Sequence, residues 1–177
     1  MQNQLTPLFA AHIAAGSVML TSGLVAIAAR KANNTHRTAG KIYVYAAALV
    51  ALTGFTIAML KWNLFLIATS PFVLYMVLTG YRSLYLKRLY KEKKAEITDW
   101  LIVAFAAVTS VALLSLGAYT LAGGNNAGLV PLVFGIICAR FLYRDITKFV
   151  KGPADAKHWL YNHIAGMAGS YIAGLTA

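Results

Sequence analysis

The chain has 177 residues, of which 59% are hydrophobic and only 12% charged, and its formal net charge is +11. A soluble domain carries about 25% charged residues to cover its surface, so this composition excludes an ordinary cytosolic enzyme, a disordered chain and a disulfide-stapled secreted module. What remains is an all-α integral membrane bundle formed as one domain over residues 1–177, and the mean hydropathy of +0.64 agrees.

A helix that crosses the hydrocarbon needs about 20 mostly apolar residues, and six stretches meet that length. The first runs from about Pro7 to Ala29, with Thr6 as N-cap and Pro7 at the first helical position. Met1 to Thr6 has no basic region and the apolar run exceeds that of a signal peptide, so this helix is read as retained. The second runs from about Ala39 to Leu60 and the third from about Leu64 to Leu84, with Pro71 in its interior as a source of a kink. The mixed basic and aromatic segment Tyr81 to Glu96 extends the third helix beyond the membrane. The fourth span opens at Thr98 or Asp99, either of which can cap it, and ends near Leu121. The fifth runs from about Gly128 to Tyr143, with Pro131 in its first turn, and the sixth from about Lys157 to Ala177.

Fifteen of the sixteen Lys and Arg residues flank the first, third and fifth connections, and Lys61 alone flanks the second. Basic residues accumulate on the cytoplasmic side. The chain is therefore expected in the cell inner membrane with its basic loops in the cytoplasm and both termini outside. Leu84, Tyr85, Leu86, Leu89 and Tyr90 alternate with Lys87, Arg88 and Lys91, a pattern suited to anionic lipid headgroups or to a protein dock. The positive charge is accounted for by topology, so nucleic acid is not an expected partner. The single cysteine, Cys138, lies in an apolar run and reads as a small buried hydrophobe.

No phosphate-cradling loop or nucleophile triad is present. The only acidic residues are Glu92, Glu96, Asp99, Asp145 and Asp155, all read at cytoplasmic helix ends. A span without a mid-membrane carboxylate argues against a proton-coupled transporter.

The histidines are the informative residues. His12 lies five residues into the first span, and His163 lies about as far into the sixth from the cytoplasmic side. His36 and His158 open helices on that same side. Small residues accompany them: Gly16 and Gly23 after His12, Gly40 after His36, and Gly166 and Gly169 after His163. These glycine faces are expected to point into the bundle, either to let helices approach or to leave room for a flat macrocycle. Hydrogen bonding to a neighbouring helix or to headgroups is the plain reading of His12 and His163, and a solvated interface position is that of His36 and His158. His36, His158 and His163, with Asp155, are a chemically sound set of zinc ligands, although residues five apart on a helix point about 140° away from each other. A haem b held between His36 and His163 is geometrically simpler, because it needs one nitrogen from each side. Arg37 is then placed to neutralise a propionate, with Tyr161 near the mouth. His12, near the opposite surface, marks a second outer site or a helix contact.

The run His12-x-x-x-Gly16 to Gly23, Ala29-Arg30 and His36-Arg37-x-x-Gly40-x-Ile42-Tyr43 resembles a bacterial family of predicted multi-pass membrane proteins of unknown function. The ending His158-Trp159-Leu160-Tyr161-Asn162-His163-Ile164 through Gly169-Ser170-Tyr171 is similar to the end of those proteins. The placement of His12 and His36 also resembles that of the b561-type cytochromes, which have six spans. The third and fourth spans here contain no histidine, so that resemblance implies one haem rather than a two-haem wire. The functional readings are a small haem-binding or redox accessory component; a non-enzymatic assembly factor or subunit with a membrane-protein partner or a second copy of itself; a carrier for a small molecule or lipid; and, as the enzyme reading, a zinc-dependent hydrolase.

Overall fold

A computed structural model describes residues 2–31, 33–92 and 94–176. The described residues form helices and turns and contain no strand. In chain order these are α1 (Gln2–Ala28), α2 (Asn34–Lys61), α3 (Leu64–Arg82), a 3-10 turn (Ser83–Tyr85), the short α4 (Leu89–Glu92), α5 (Ile97–Ala122), a second 3-10 turn (Asn126–Gly128), α6 (Leu129–Lys151) and α7 (His158–Thr176). Five segments are long and apolar enough to cross a membrane: Thr6–Ala28, Asn34–Lys61, Leu64–Tyr85, Ile97–Ala122 and Asn126–Lys151. The 19 residues of α7 make a rod about 28 Å long, but His158, Asn162 and His163 lower the hydropathy of its first turns.

Several boundaries differ from those expected. Helix α1 begins at Gln2, and Pro7 is inside it rather than at its start. Pro7 is the sixth helical residue, so the Asn3 carbonyl lacks the backbone N–H that another residue there would donate. Helix α2 begins five residues before Ala39, because the Asn33 side chain accepts the His36 backbone N–H at 2.8 Å. That cap puts His36 in the first helical turn. Neither Thr98 nor Asp99 caps α5. Glu96 is the N-cap, and Asp99 returns the bond to the Glu96 N–H at 2.8 Å, a reciprocal capping box. The segment after Tyr81 does not extend α3. The chain folds back after Arg82, and Leu86 and Leu89 are buried against Val103 and Phe149. Helix α6 runs past Tyr143 to Lys151 and so carries Asp145 within its packed length.

Helix α3 is the hub and lies against α2, α5, α6 and α7. The long helices alternate in direction. Phe65 and Phe72 of α3 stack on Phe134 of α6, and Phe72 also meets Phe141, so those two helices run parallel. Helix α7 runs antiparallel to α3, with Gly166 on Gly80 and Gly169 on Met76. Helices α5 and α6 pair closely through Gly117, Gly128 and Gly135, where an added Cβ would come within 3 Å of neighbouring atoms. Cys138 is fully buried among Phe72, Tyr75, Met76 and Ala106. Gly23 faces the rings of Tyr171 and Tyr43, but Gly16 meets nothing within 4 Å. The expectation that both line the same inner face therefore fails at Gly16. The contact seam of α1 runs through Ala15, Met19 and Ser22 and passes beside it.

Candidate functional site

Four helix ends converge where α1 finishes, α2 begins, α3 finishes and α7 begins. His36 and His163 meet there, with ring centroids 6.5 Å apart and planes at 79°. Both rings are half-buried. His36 Nδ1 lies 2.8 Å from the Ala26 carbonyl, and His163 Nδ1 lies 3.0 Å from the Gly80 carbonyl. A carbonyl oxygen only accepts, so each Nδ1 carries a proton, and Nε2 is the nitrogen left to present a lone pair when a ring is neutral. A backbone acceptor on one ring nitrogen is the usual device for fixing the tautomer of a ligating histidine.

Two turns further into the bundle, the same faces of α2 and α7 carry Tyr43 and Ser170. The Ser170 hydroxyl donates to the Met167 carbonyl at 3.0 Å and accepts from the Tyr43 hydroxyl at 2.7 Å. The Tyr171 ring lies 6.2 Å from that of Tyr43, and its hydroxyl donates to the Leu20 carbonyl at 3.3 Å. The Tyr43–Ser170 bond ties α2 to α7, and Tyr171 ties α7 to α1, below the histidine pair. Beyond them Met19, Ala46, Ala47, Val73 and Val77 form an apolar cluster, and the next buried polar side chain on α2, Thr53, is about 15 Å further along the helix.

The other expected site residues fall elsewhere. His12 is about 20 Å along α1 from Ala26. Its Nδ1 bonds Thr53 Oγ1 at 2.9 Å, the Thr53 hydroxyl donates to Leu49, and Gly54 packs against the ring. His12 thus makes a helix contact. His158 is buried, with Nδ1 on the Asp155 carbonyl at 3.0 Å and Nε2 without a hydrogen-bond partner. No three His, Cys, Asp or Glu side chains among the described residues gather as a metal-ligand set, so His158 is not brought to His36 and His163. The side chains of Arg37 and Tyr161 are exposed. The glycines beside His163 do not leave a slot: Gly166 and Gly169 are used in contact with α3, and only Gly40, beside His36, opens onto free space. The pair thus presents two imidazole nitrogens, with open space beside Gly40 on the α2 side.

A second cluster had no signature in the sequence. Arg82 donates from Nε and Nη2 to both oxygens of Asp99 at 2.8 and 3.1 Å, and from Nη2 to Glu96 at 2.7 Å. Asp145 accepts the Tyr75 hydroxyl at 2.7 Å and the Lys148 ammonium at 2.8 Å. Asp99 and Asp145 are 1% and 2% exposed, so each carboxylate is compensated by its partners rather than by water. Arg82, Asp99, Asp145, Lys148 and Thr79 line one cavity of about 10 Å³, room for about one water. The charges bind the ends of α3, α5 and α6 together. Tyr75 and Asp145 lie on different helices, and no spacing rule links them. The local signals available were the Glu96–Asp99 capping box and the i,i+3 spacing of Asp145 and Lys148.

No curated protein and no solved structure matches the chain. Residues 9–138 match a family described as predicted membrane protein (DUF2306). The match takes in His12, His36, Arg82 and Asp99 and ends before Asp145 and His163. It spans well over half of the chain, from α1 into α6, and the protein accordingly belongs to this family of predicted membrane proteins of unknown function.

Proposed function

We propose that the protein crosses the inner membrane six times with its basic connections in the cytoplasm, and that His36 and His163 there ligate one haem b iron in a small redox accessory component. The observation that carries this reading is the pairing of two half-buried imidazoles with both Nδ1 atoms tied to carbonyls. The two ring centroids are 6.5 Å apart, and His36 and His163 would hold the iron with one ring nitrogen each. Bound haem supplies a one-electron couple. Of the chain's own groups, Ala26 and Gly80 orient the two rings, Tyr43 and Tyr171 lie below them, and Arg37 and Tyr161 stand at the exposed mouth. The protein purified in mild detergent after expression with haem supply is expected to show a Soret band near one haem per chain. His36→Ala and His163→Ala are each expected to lose it while keeping the helical circular dichroism of the parent.

The second reading is an accessory subunit or assembly factor without a cofactor, acting through a membrane-protein partner or a second copy. The Gly80–Gly166 contact favours it, because it uses for helix packing the glycines that a macrocycle would need. A colourless protein recovered with a stoichiometric partner selects this reading.

The antiparallel packing of α7 on α3 supports the sixth crossing, and the fifteen-to-one division of basic residues supports the orientation. A cysteine introduced as Lys91→Cys is expected to react with a membrane-impermeant maleimide only after the cytoplasmic face is opened. Native Cys138 is fully buried and gives little background. Labelling of intact cells would reverse the orientation.

A further inference from the structure

At the end of the bundle away from the histidine pair, the α2–α3 turn and the α5–α6 turn line an open groove of about 510 Å³. That volume is within the range of small-ligand sites, about 300–1,000 Å³. Its lining includes Lys61, Trp62, Asn63, Phe65, Asn125 and Val130. Lys61 is the one basic residue that the sequence keeps off the basic face, and it borders this groove. The two asparagines are oriented by the backbone. Asn63 Oδ1 accepts from the Leu66 N–H at 3.1 Å, and Asn125 Oδ1 accepts from the Ala127 N–H at 3.0 Å. Each carboxamide therefore commits its oxygen to the protein and keeps its NH2 donors for something else. Trp62 adopts φ 51° and ψ 47°, a conformation rare for bulky residues, and its ring is 64% exposed. Packing inside the bundle does not explain a tryptophan there, whereas an indole at a membrane–water interface is a common anchor.

We propose that this groove seats the phosphodiester headgroup of an anionic phospholipid from the leaflet opposite the basic loops. Lys61 pairs with its charge, the Asn63 and Asn125 amides donate to its oxygens, and Phe65 and Val130 flank the start of its acyl chains. The charge complementarity rests on Lys61, the one Lys or Arg side chain among the connections at this end. This inference uses the membrane setting and is independent of the histidine pair.

The test is quenching of Trp62 by brominated phospholipid in vesicles of mixed phosphatidylglycerol and phosphatidylcholine. It uses the full chain with W100F and W159F, which leave Trp62 as the only indole. Subtracting a W62F protein from the parent gives the same readout if that background folds poorly. A preference for phosphatidylglycerol of about fivefold is expected, the size of one lysine acting near a membrane surface. Lys61→Gln is expected to bring it to unity. Ala127→Phe, which fills the groove and keeps Lys61, is expected to do the same. No preference in the parent overturns the proposal, as does a preference that survives Lys61→Gln. A preference lost in Lys61→Gln but kept in Ala127→Phe also overturns it, since the attraction is then diffuse rather than held in the groove.

Discussion

Asp145→Ala is expected to destabilise the bundle by about 3–5 kcal/mol, the cost of stranding one member of a buried ion pair. The carboxylate is 2% exposed, and its removal leaves two groups without their acceptor. One is the Tyr75 hydroxyl at 2.7 Å, and the other is the Lys148 ammonium at 2.8 Å, whose side chain is 10% exposed. Arg82 lines the same small cavity, so the stranded ammonium also faces a second cation. Asp145→Asn keeps one acceptor oxygen, for Tyr75, and replaces the other, together with the charge, by an NH2 donor, so its cost is expected to be lower than that of alanine, about 1–3 kcal/mol. The paired change Asp145→Leu with Lys148→Met removes both charges and replaces them with apolar volume. It is expected to recover most of the loss, because a buried ion pair repays its own desolvation only in part. Arg30→Ala at the exposed helix end serves as control and is expected within about 0.5 kcal/mol of the parent. The measurement is the unfolding midpoint in detergent. If Asp145→Ala matches the control, the carboxylate is not held as described.

These charges also show where the sequence stops being informative. Apolar runs are local, so the long helices and the one-sided basic residues could be read directly. Depth along a helix is also a matter of counting, and this was enough to expect His36 and His163 at one end of the bundle. The geometry then brings their rings together, which counting alone does not require. Helix ends depend on other things. The run around Ala39 marks where α2 becomes apolar, but Asn33 decides where it becomes helical. The run ending at Tyr143 marks where α6 stops being apolar. The helix continues because α3 supplies Tyr75 and α6 itself supplies Lys148 to a carboxylate that would otherwise need water. Asp145 therefore looks like a loop-end residue in the sequence and is a buried one in the fold. Partners that depend on helix rotation have no fixed spacing to betray them.

The glycines raise the same question at the histidine pair, since a bare Cα can serve a cofactor slot or a helix contact, and two substitutions separate these uses. At Gly166 an added Cβ would lie 2.5 Å from Gly80 Cα and 2.7 Å from the Met76 carbonyl. Both are backbone atoms and cannot turn aside, so Gly166→Ala has to push α7 away from α3. Overpacking of this kind costs about 1–3 kcal/mol. Its effect extends to the site, because His163 lies three residues earlier on α7 and its Nδ1 is held by the carbonyl of the same Gly80. Gly166→Ala is therefore expected to lower the unfolding midpoint and to weaken whatever His36 and His163 bind together. Gly16→Ala is the opposite case. Nothing lies within 4 Å of the new methyl, and alanine is favoured over glycine in a helix interior by up to about 1 kcal/mol. Its midpoint is expected to be equal to the parent's or higher. Thermal unfolding of both variants in one detergent, followed by circular dichroism, decides the matter. Equal midpoints for the two would mean that Gly166 is not a backbone contact, and the space beside His163 would then be available to a macrocycle.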